Sequence, residues 1–307
     1  MIACSRRYAE HGSPLRHTLF LVIALSIAGC AGLPPGADYA KQTSNAIADP
    51  ETTRLGAQIA LAGRAHPGLS GFRIVPVGVD GFLTRAQIIA SAERTLNLQY
   101  YIFHGDETGR LLSAELLRAA DRGVRIRILI DDGETRSGDE RVINLDAHPN
   151  IEVRVFNPFV YRGHSLPLRL TEFLFNHARL DYRMHNKLMV VDNTVALIGG
   201  RNIGNQYFQM DPESQFADDD MFAAGPVAAK LSNVFDEFWN SSFAIPAAAL
   251  AAVDDVVEQS GQRQKGPTYR ELATLQTDGV DYGLRLASGE PYAGMLSGRL
   301  PLVWAHS

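Results

Sequence analysis

Apolar residues recur at helical spacing at Phe82, Leu83, Ala86, Ile89 and Ala90, and the pattern then switches to two-residue alternation from Leu96 to Phe103. The first pattern predicts a helix and the second a strand. A second helix is predicted from Thr108 to Arg122, with Leu112, Leu116 and Ala119 on one side and Gly123 as its stop. Strands are predicted over Val124 to Ile130 and Ile151 to Phe156, and a helix from Thr171 to Arg179. Two further strands, Lys187 to Val191 and Val195 to Ile198, flank an Asp192-Asn193-Thr194 turn. Pro226 opens a helix whose Leu231, Val234, Phe235, Phe238 and Trp239 should pack on the sheet. Strand, helix and strand in this order make a βαβ unit, so the predicted fold class is α/β, a mixed β-sheet flanked by helices.

The ends of the chain read differently. Arg6, Arg7 and Arg16 precede an apolar run from Thr18 to Ala28, too short for a comfortable membrane span but fitting a secretory signal. The run ends in Ser26-Ile27-Ala28-Gly29-Cys30, which looks like a bacterial lipobox, so Cys30 is expected to be lipidated and to begin the mature chain. Acyl chains there would hold the protein at a membrane. Ala31 after the cysteine favours the periplasmic face of the outer membrane in the lipoproteins this resembles. The expected organisation is a lipoprotein signal segment over 1–29, a lipidated tether over 30–69, the α/β domain over 70–243, and an Ala-rich helix (Pro246 to Val257) with a polar connector (Gln259 to Pro267) within 244–307.

Composition narrows the chemistry. The chain has 307 residues and a net charge of -5, which gives no electrostatic reason to expect nucleic acid as a partner. Four of the 29 basic residues are lysines, Lys41, Lys187, Lys230 and Lys265, so a lysine beside a histidine is informative. Cys4 and Cys30 both lie near the N-terminus, so no Cys-based metal site can form in the body of the chain. No metal or other cofactor is expected. Neither a phosphate-loop motif nor a Gly-x-Ser-x-Gly elbow is present.

Candidate chemistry gathers between Met184 and Asp220. His185 and Lys187 are two apart at a predicted strand start and so should share one face. Asp192 follows at the strand's far end, and Gly199-Gly200-Arg201-Asn202 comes next. A phosphodiester needs a nucleophile, neutralisation of its phosphoryl oxygens and an acid for the leaving alcohol, and side chains can supply all three. His185 is the candidate nucleophile, Lys187 the counter-charge and Asn202 a directional donor, while Gly199 and Gly200 would let backbone approach a phosphate. Asp131 and Asp132, at a strand end, read as turn or capping residues.

This arrangement resembles the signature His-x-Lys-x(4)-Asp-x(6)-Gly-[Gly/Ser]-x-Asn of the phospholipase D superfamily, met at His185, Lys187, Asp192, Gly199, Gly200 and Asn202. The stretches LNLQYYIFHGDETG from Leu96, GVRIRILIDD from Gly123 and FADDDMFAAGP from Phe216 are similar to its cardiolipin synthase branch. The resemblance implies phosphatidyl transfer through a phosphohistidine on His185, with a phospholipid of the phosphatidylglycerol or phosphatidylethanolamine class as substrate. It implies that Asp218, or failing that Asp220, orients the histidine. Asp192 belongs to the catalytic signature, although a structural role at the turn suits it better than proton transfer. The family uses two such motifs facing one another and this sequence carries one, so the chain is expected to be one phospholipase D-like half, truncated before a second. The alternatives are a homodimeric phosphodiesterase or nuclease and an inactive lipoprotein fragment.

Overall fold

The computed structural model describes residues 33–133, 140–161, 165–211, 213–254 and 294–307. The predicted signal segment, Cys30 and the polar connector fall outside these residues. Nine strands form one mixed sheet, in the order β8-β4-β3-β2-β5-β6-β7-β1-β9. They are β1 (Ser70–Val75), β2 (Thr95–Tyr100), β3 (Arg125–Asp131), β4 (Ile151–Phe156), β5 (Lys187–Val191), β6 (Val195–Gly199), β7 (Asp220–Ala224), β8 (Ala244–Pro246) and β9 (Val303–Ala305). The principal helices are α1 (Arg54–Ala62), α2 (Gly78–Ser91), α3 (Glu107–Asp121), α4 (Leu166–Phe175), α5 (Pro226–Asn240) and α6 (Ala247–Asp254), joined by single turns at Glu140–Ile143 and His177–Leu180.

Strands β2, β3 and β4 are parallel, in register through Leu98, Ile128 and Val153. Helix α3 makes the crossover from β2 to β3. Asp106 caps its start by accepting from the Gly109 N–H at 3.1 Å, and Gly123, at φ 93°, takes the left-handed conformation that ends it. Strand β5 runs antiparallel beside β2, with Tyr100 opposite Lys187, and the hairpin to β6 turns through Asp192 and Asn193. Their φ values of 48° and 51° are those of a tight hairpin turn in which Asp and Asn are tolerated. Strands β7 and β1 continue the antiparallel half.

Both faces of the sheet are covered, so β2 is buried throughout and β3 at every position after its first, although polar residues alternate with apolar ones along both. On one face Leu96, Leu98, Ile128, Met189 and Val191 pack against α2 and α3 through Phe82, Ile89, Leu112 and Leu116. On the other, Leu129, Phe156, Leu188 and Val190 meet Phe235 and Trp239 of α5. Two strand arginines are buried on this second face. Arg127 donates to Asn97 Oδ1 (2.9 Å) and Asp236 Oδ1 (2.7 Å) and lies over the Phe235 ring, while Arg154 donates to the Trp239 carbonyl (2.7 Å) and lies over its indole.

The stretch expected to act as a tether is packed against this domain from Pro34 onward. Lys41 donates to the carbonyls of Ser241 (2.5 Å) and Ala244 (2.8 Å), and Arg127 and Arg154 donate to those of Ser44 (2.6 Å) and Gln42 (2.7 Å). Buried guanidinium donors must be satisfied, and this segment supplies the acceptors. Other boundaries also moved. The helix predicted over Thr171 to Arg179 starts at Leu166, where Pro167 suits the first turn, and breaks at Asn176, whose φ of -120° is not helical. The Asp218–Asp220 run is half loop, since Asp220 opens β7.

Candidate active site

One edge of the sheet collects the candidate residues. It is formed by the C-terminal ends of β1, β2, β3, β4 and β6 and the starts of β5 and β7, as the register pairs Tyr100 with Lys187 and Gly199 with Asp220 show. Ligands of α/β sheets bind at such an edge.

His185 lies just before β5 and is exposed, whereas Lys187, its first residue, is buried. The Lys187 ammonium donates to the His185 carbonyl at 2.8 Å. Tyr101 joins the two side chains, its ring centroid lying 4.7 Å from that of His185 and 5.3 Å from Lys187 Nζ. A cation over an aromatic face is stabilised by the ring quadrupole. Partial burial of the ring, and then the Lys187 charge, push the His185 pKa below 6.5. Burial pushes Lys187 down to about 8, against the opposing pull of Asp218 and Asp131. A neutral imidazole beside a cation therefore exists near neutral pH, the combination that attack on a phosphodiester requires.

Asp131 fixes the approach to His185. Its carboxylate accepts from the Met184 N–H (2.7 Å), the Gly133 N–H (2.6 Å) and Arg183 (3.0 Å). Burial raises its pKa to about 6, although Arg183 and the two backbone donors oppose the rise. It was expected to serve a turn or a cap. It does serve the Gly133 turn, but it also clamps the residue preceding the candidate nucleophile. Nothing in local spacing shows this, because Asp131 and Met184 are 53 positions apart. Tyr101 likewise had no motif to mark it.

The remaining signature residues are placed for support. Asp192 sits at the opposite end of β5, with its carboxylate accepting the N–H groups of Glu93 (2.9 Å), Arg94 (2.9 Å) and Thr95 (2.7 Å). The structure thus does not bring it to His185, and it binds the hairpin turn to the start of β2. Asp220 is fully buried, paired with Arg85 at 2.7 and 3.0 Å and with Arg201 at 3.1 Å. Asp218 is half-exposed and close enough for its charge to act on Lys187, and among the described residues no hydrogen bond joins it to His185.

The two glycines have a different explanation from close approach to a ligand. A Cβ on Gly199 would lie 2.4 Å from the Asp219 carbonyl oxygen and from Asp220 Oδ1, and one on Gly200 would lie 2.3 Å from Asp218 Oδ1. They make room for the acidic run. Asn202 is buried, accepting from the Ile102 N–H (3.1 Å) and donating to the Tyr207 hydroxyl (2.9 Å), so its amide ties this segment to the end of β2. Among the described residues no cluster of three His, Cys, Asp or Glu side chains could hold a metal ion, and no helix is long and apolar enough to cross a membrane.

The fold and the signature residues are of the phospholipase D type, and similarity to known proteins agrees. Residues 86–239 match the family described as cardiolipin synthase, PLD-like domain, and the chain belongs to that family. It is 40% identical over 243 residues to cardiolipin synthase C of Escherichia coli, covering 78% of this chain and 49% of that protein. An uncharacterized protein of Helicobacter pylori is 38% identical over 237 residues, covering 76% of this chain and 46% of the other. The chain thus spans about half the length of these relatives. Among solved structures, the phospholipase D family member Nuc from Salmonella typhimurium aligns with a TM-score of 0.41 and 17% identity, over 58% of this chain and 96% of that one.

Proposed function

We propose that this chain provides a phosphatidyl-transferring site of the cardiolipin synthase kind. The observation that carries the reading is the contact of one tyrosine ring with both His185 and Lys187, which presents a nucleophile and a cation to the same phosphate. His185 would attack phosphorus as the bond to the headgroup oxygen breaks, leaving a phosphohistidine. The departing alcohol would take its proton from a second histidine, supplied by another copy of this motif. A lipid alcohol or water would then attack phosphorus, give up its proton to that second group and release His185. Lys187 would hold the phosphoryl charge throughout, and Asp218 would support Lys187 and the histidine pair. Cys30 would carry the lipid anchor, and the lipid class would be phosphatidylglycerol or phosphatidylethanolamine.

The test is turnover of phosphatidylglycerol in mixed micelles by the purified chain, followed by mass spectrometry, with His185→Ala as control. Cardiolipin or phosphatidic acid that disappears in the variant supports the reading and makes a homodimeric site the arrangement to pursue. Absence of both products from the folded chain overturns it for the chain alone and favours the non-enzymatic lipoprotein.

A further inference from the structure

Helix α4 is built inside out. Its three half-buried positions are Arg169, Glu172 and Phe173, while its other seven residues are exposed, five of them large and apolar. Leu166, Phe175 and Leu174 are 75%, 70% and 68% exposed, and Leu168 and Leu170 are exposed beside them. A helix on a water-soluble surface normally shows the reverse pattern.

Both charged side chains of the helix are turned toward the body. Arg169 lies over the Phe159 ring at 4.4 Å and donates to the Asp132 carbonyl at 3.3 Å. Glu172 accepts from the N–H groups of Val160 (2.7 Å) and Tyr161 (2.9 Å) and from Arg179 (3.2 Å). The one polar side chain on the outer surface, Thr171, donates its hydroxyl proton to the Pro167 carbonyl at 2.8 Å. The outer surface of α4 is therefore uncharged.

The shape of this surface selects its occupant. With 3.6 residues per turn, the exposed positions sweep an arc of about 200°. A single protein partner buries a stripe of about 100°. Hydrocarbon has no such limit, since it can wet every side of the helix that the body leaves open. Val160, whose N–H donates to Glu172 of the helix, is exposed as well. The placement of α4 is also informative, because Phe159 lies under both Arg169 and Arg183, and Arg183 leads directly into Met184 and His185.

We propose that α4 docks into the surface of a phospholipid bilayer and thereby seats the His185 edge of the sheet against its lipids. The proposal deepens the phospholipid reading given above and rests on it for its purpose. It differs from anchoring at Cys30, which would tether the chain without orienting the site.

The test places a tryptophan in the helix of the full chain as Phe175→Trp and adds vesicles of phosphatidylglycerol and phosphatidylethanolamine brominated in their acyl chains. The signal of Trp239 and Trp304, measured on the parent chain, is subtracted. Docking predicts a blue shift and at least twofold quenching of the added residue. Unchanged emission from chain that co-sediments with the vesicles overturns the proposal. A blue shift in lipid-free buffer that is lost on dilution overturns it too, because a second copy then covers the helix. Should Phe175→Trp fail to fold, Leu174→Trp carries the same reporter. Quenching without any His185-dependent turnover would leave docking standing and sink the catalytic reading, so the two failures are distinguishable.

Discussion

Arg85 and Asp220 are 135 positions apart, yet they meet as a bidentate pair at 2.7 and 3.0 Å with both side chains buried. Burial alone would lower the Arg85 pKa, but Asp220 and Tyr100 outweigh it and raise it. Arg201 joins the same carboxylate and also donates to the carbonyls of Val75 (3.0 Å) and Pro76 (2.5 Å). One carboxylate thus locks α2, the Gly-Gly-Arg-Asn segment and β7 together beneath the site.

Asp220→Ala would leave two buried guanidinium groups without their counter-charge. Breaking such a pair from one side costs about 3–5 kcal/mol, and urea unfolding should show a loss of that size. The double variant Arg85→Met with Asp220→Leu should lose less than the sum of Arg85→Met and Asp220→Leu alone, because it removes one of the two uncompensated charges and leaves only that of Arg201. Additive losses would show that the two residues are not coupled.

Gly199→Ala and Gly200→Ala should separate cleanly. The added methyl on residue 199 meets the Asp219 carbonyl oxygen at 2.4 Å and Asp220 Cα at 2.7 Å, backbone of a paired strand that cannot move alone. A loss of at least about 1–3 kcal/mol is expected. At residue 200 the obstacle is the half-exposed Asp218 side chain, which can swing away. That variant should fold nearly as well, but its Lys187 pKa should fall further as the Asp218 charge withdraws. Unfolding curves and NMR titration of the reductively methylated lysines read the two effects separately.

These residues also show where sequence reading stops. The alternation in β2 and β3, the apolar run of β5 and the Asp192 turn were visible because they are local patterns. Strand β7 (DMFAA) was not, since it has no β-branched residue and gains its burial from β6 and β1 on either side. The His185–Lys187 pairing followed from a spacing of two, while the Tyr101 and Asp131 contacts depend on strand order, which no spacing encodes. The glycines were expected to let backbone approach a phosphate, and the structure sets the chain's own acidic run against them. Helix α4 starts five residues before its predicted start, with its leucines exposed rather than set on one buried face, which is also the observation behind the docking proposal.

Asp192 offers a test of scaffold against chemistry. Asp192→Ala would strip three backbone N–H groups of their acceptor, with a loss on the order of 3 kcal/mol. Asp192→Asn should be milder, because asparagine tolerates φ near 48° and keeps one amide oxygen as an acceptor. Both variants should retain the parent's pH–rate profile in whatever fraction is folded. A displaced profile at unchanged stability would instead assign Asp192 to the chemistry.

The pH dependence of activity follows from the two groups that Tyr101 brings together. Attack requires His185 neutral, and its pKa lies below 6.5, so activity should rise with pH through an acid limb below that value. Lys187 must stay protonated, and with its pKa near 8 the rate should fall as pH rises through about 8. Stability carries the opposite sign for this lysine. Between about 8 and 10.5 the unfolded chain binds a proton that the folded chain has released, so the cost of burying the charge is relieved as pH rises and stability increases. The alkaline loss of activity should therefore occur without loss of fold, as circular dichroism at pH 9 can show. Lys187→Arg keeps its charge across this range, so its profile should lose the fall near pH 8 and keep only the decline set by the second histidine that protonates the leaving alcohol, even if its maximum rate is lower. An unchanged alkaline limb in that variant would assign the titration to a group other than Lys187.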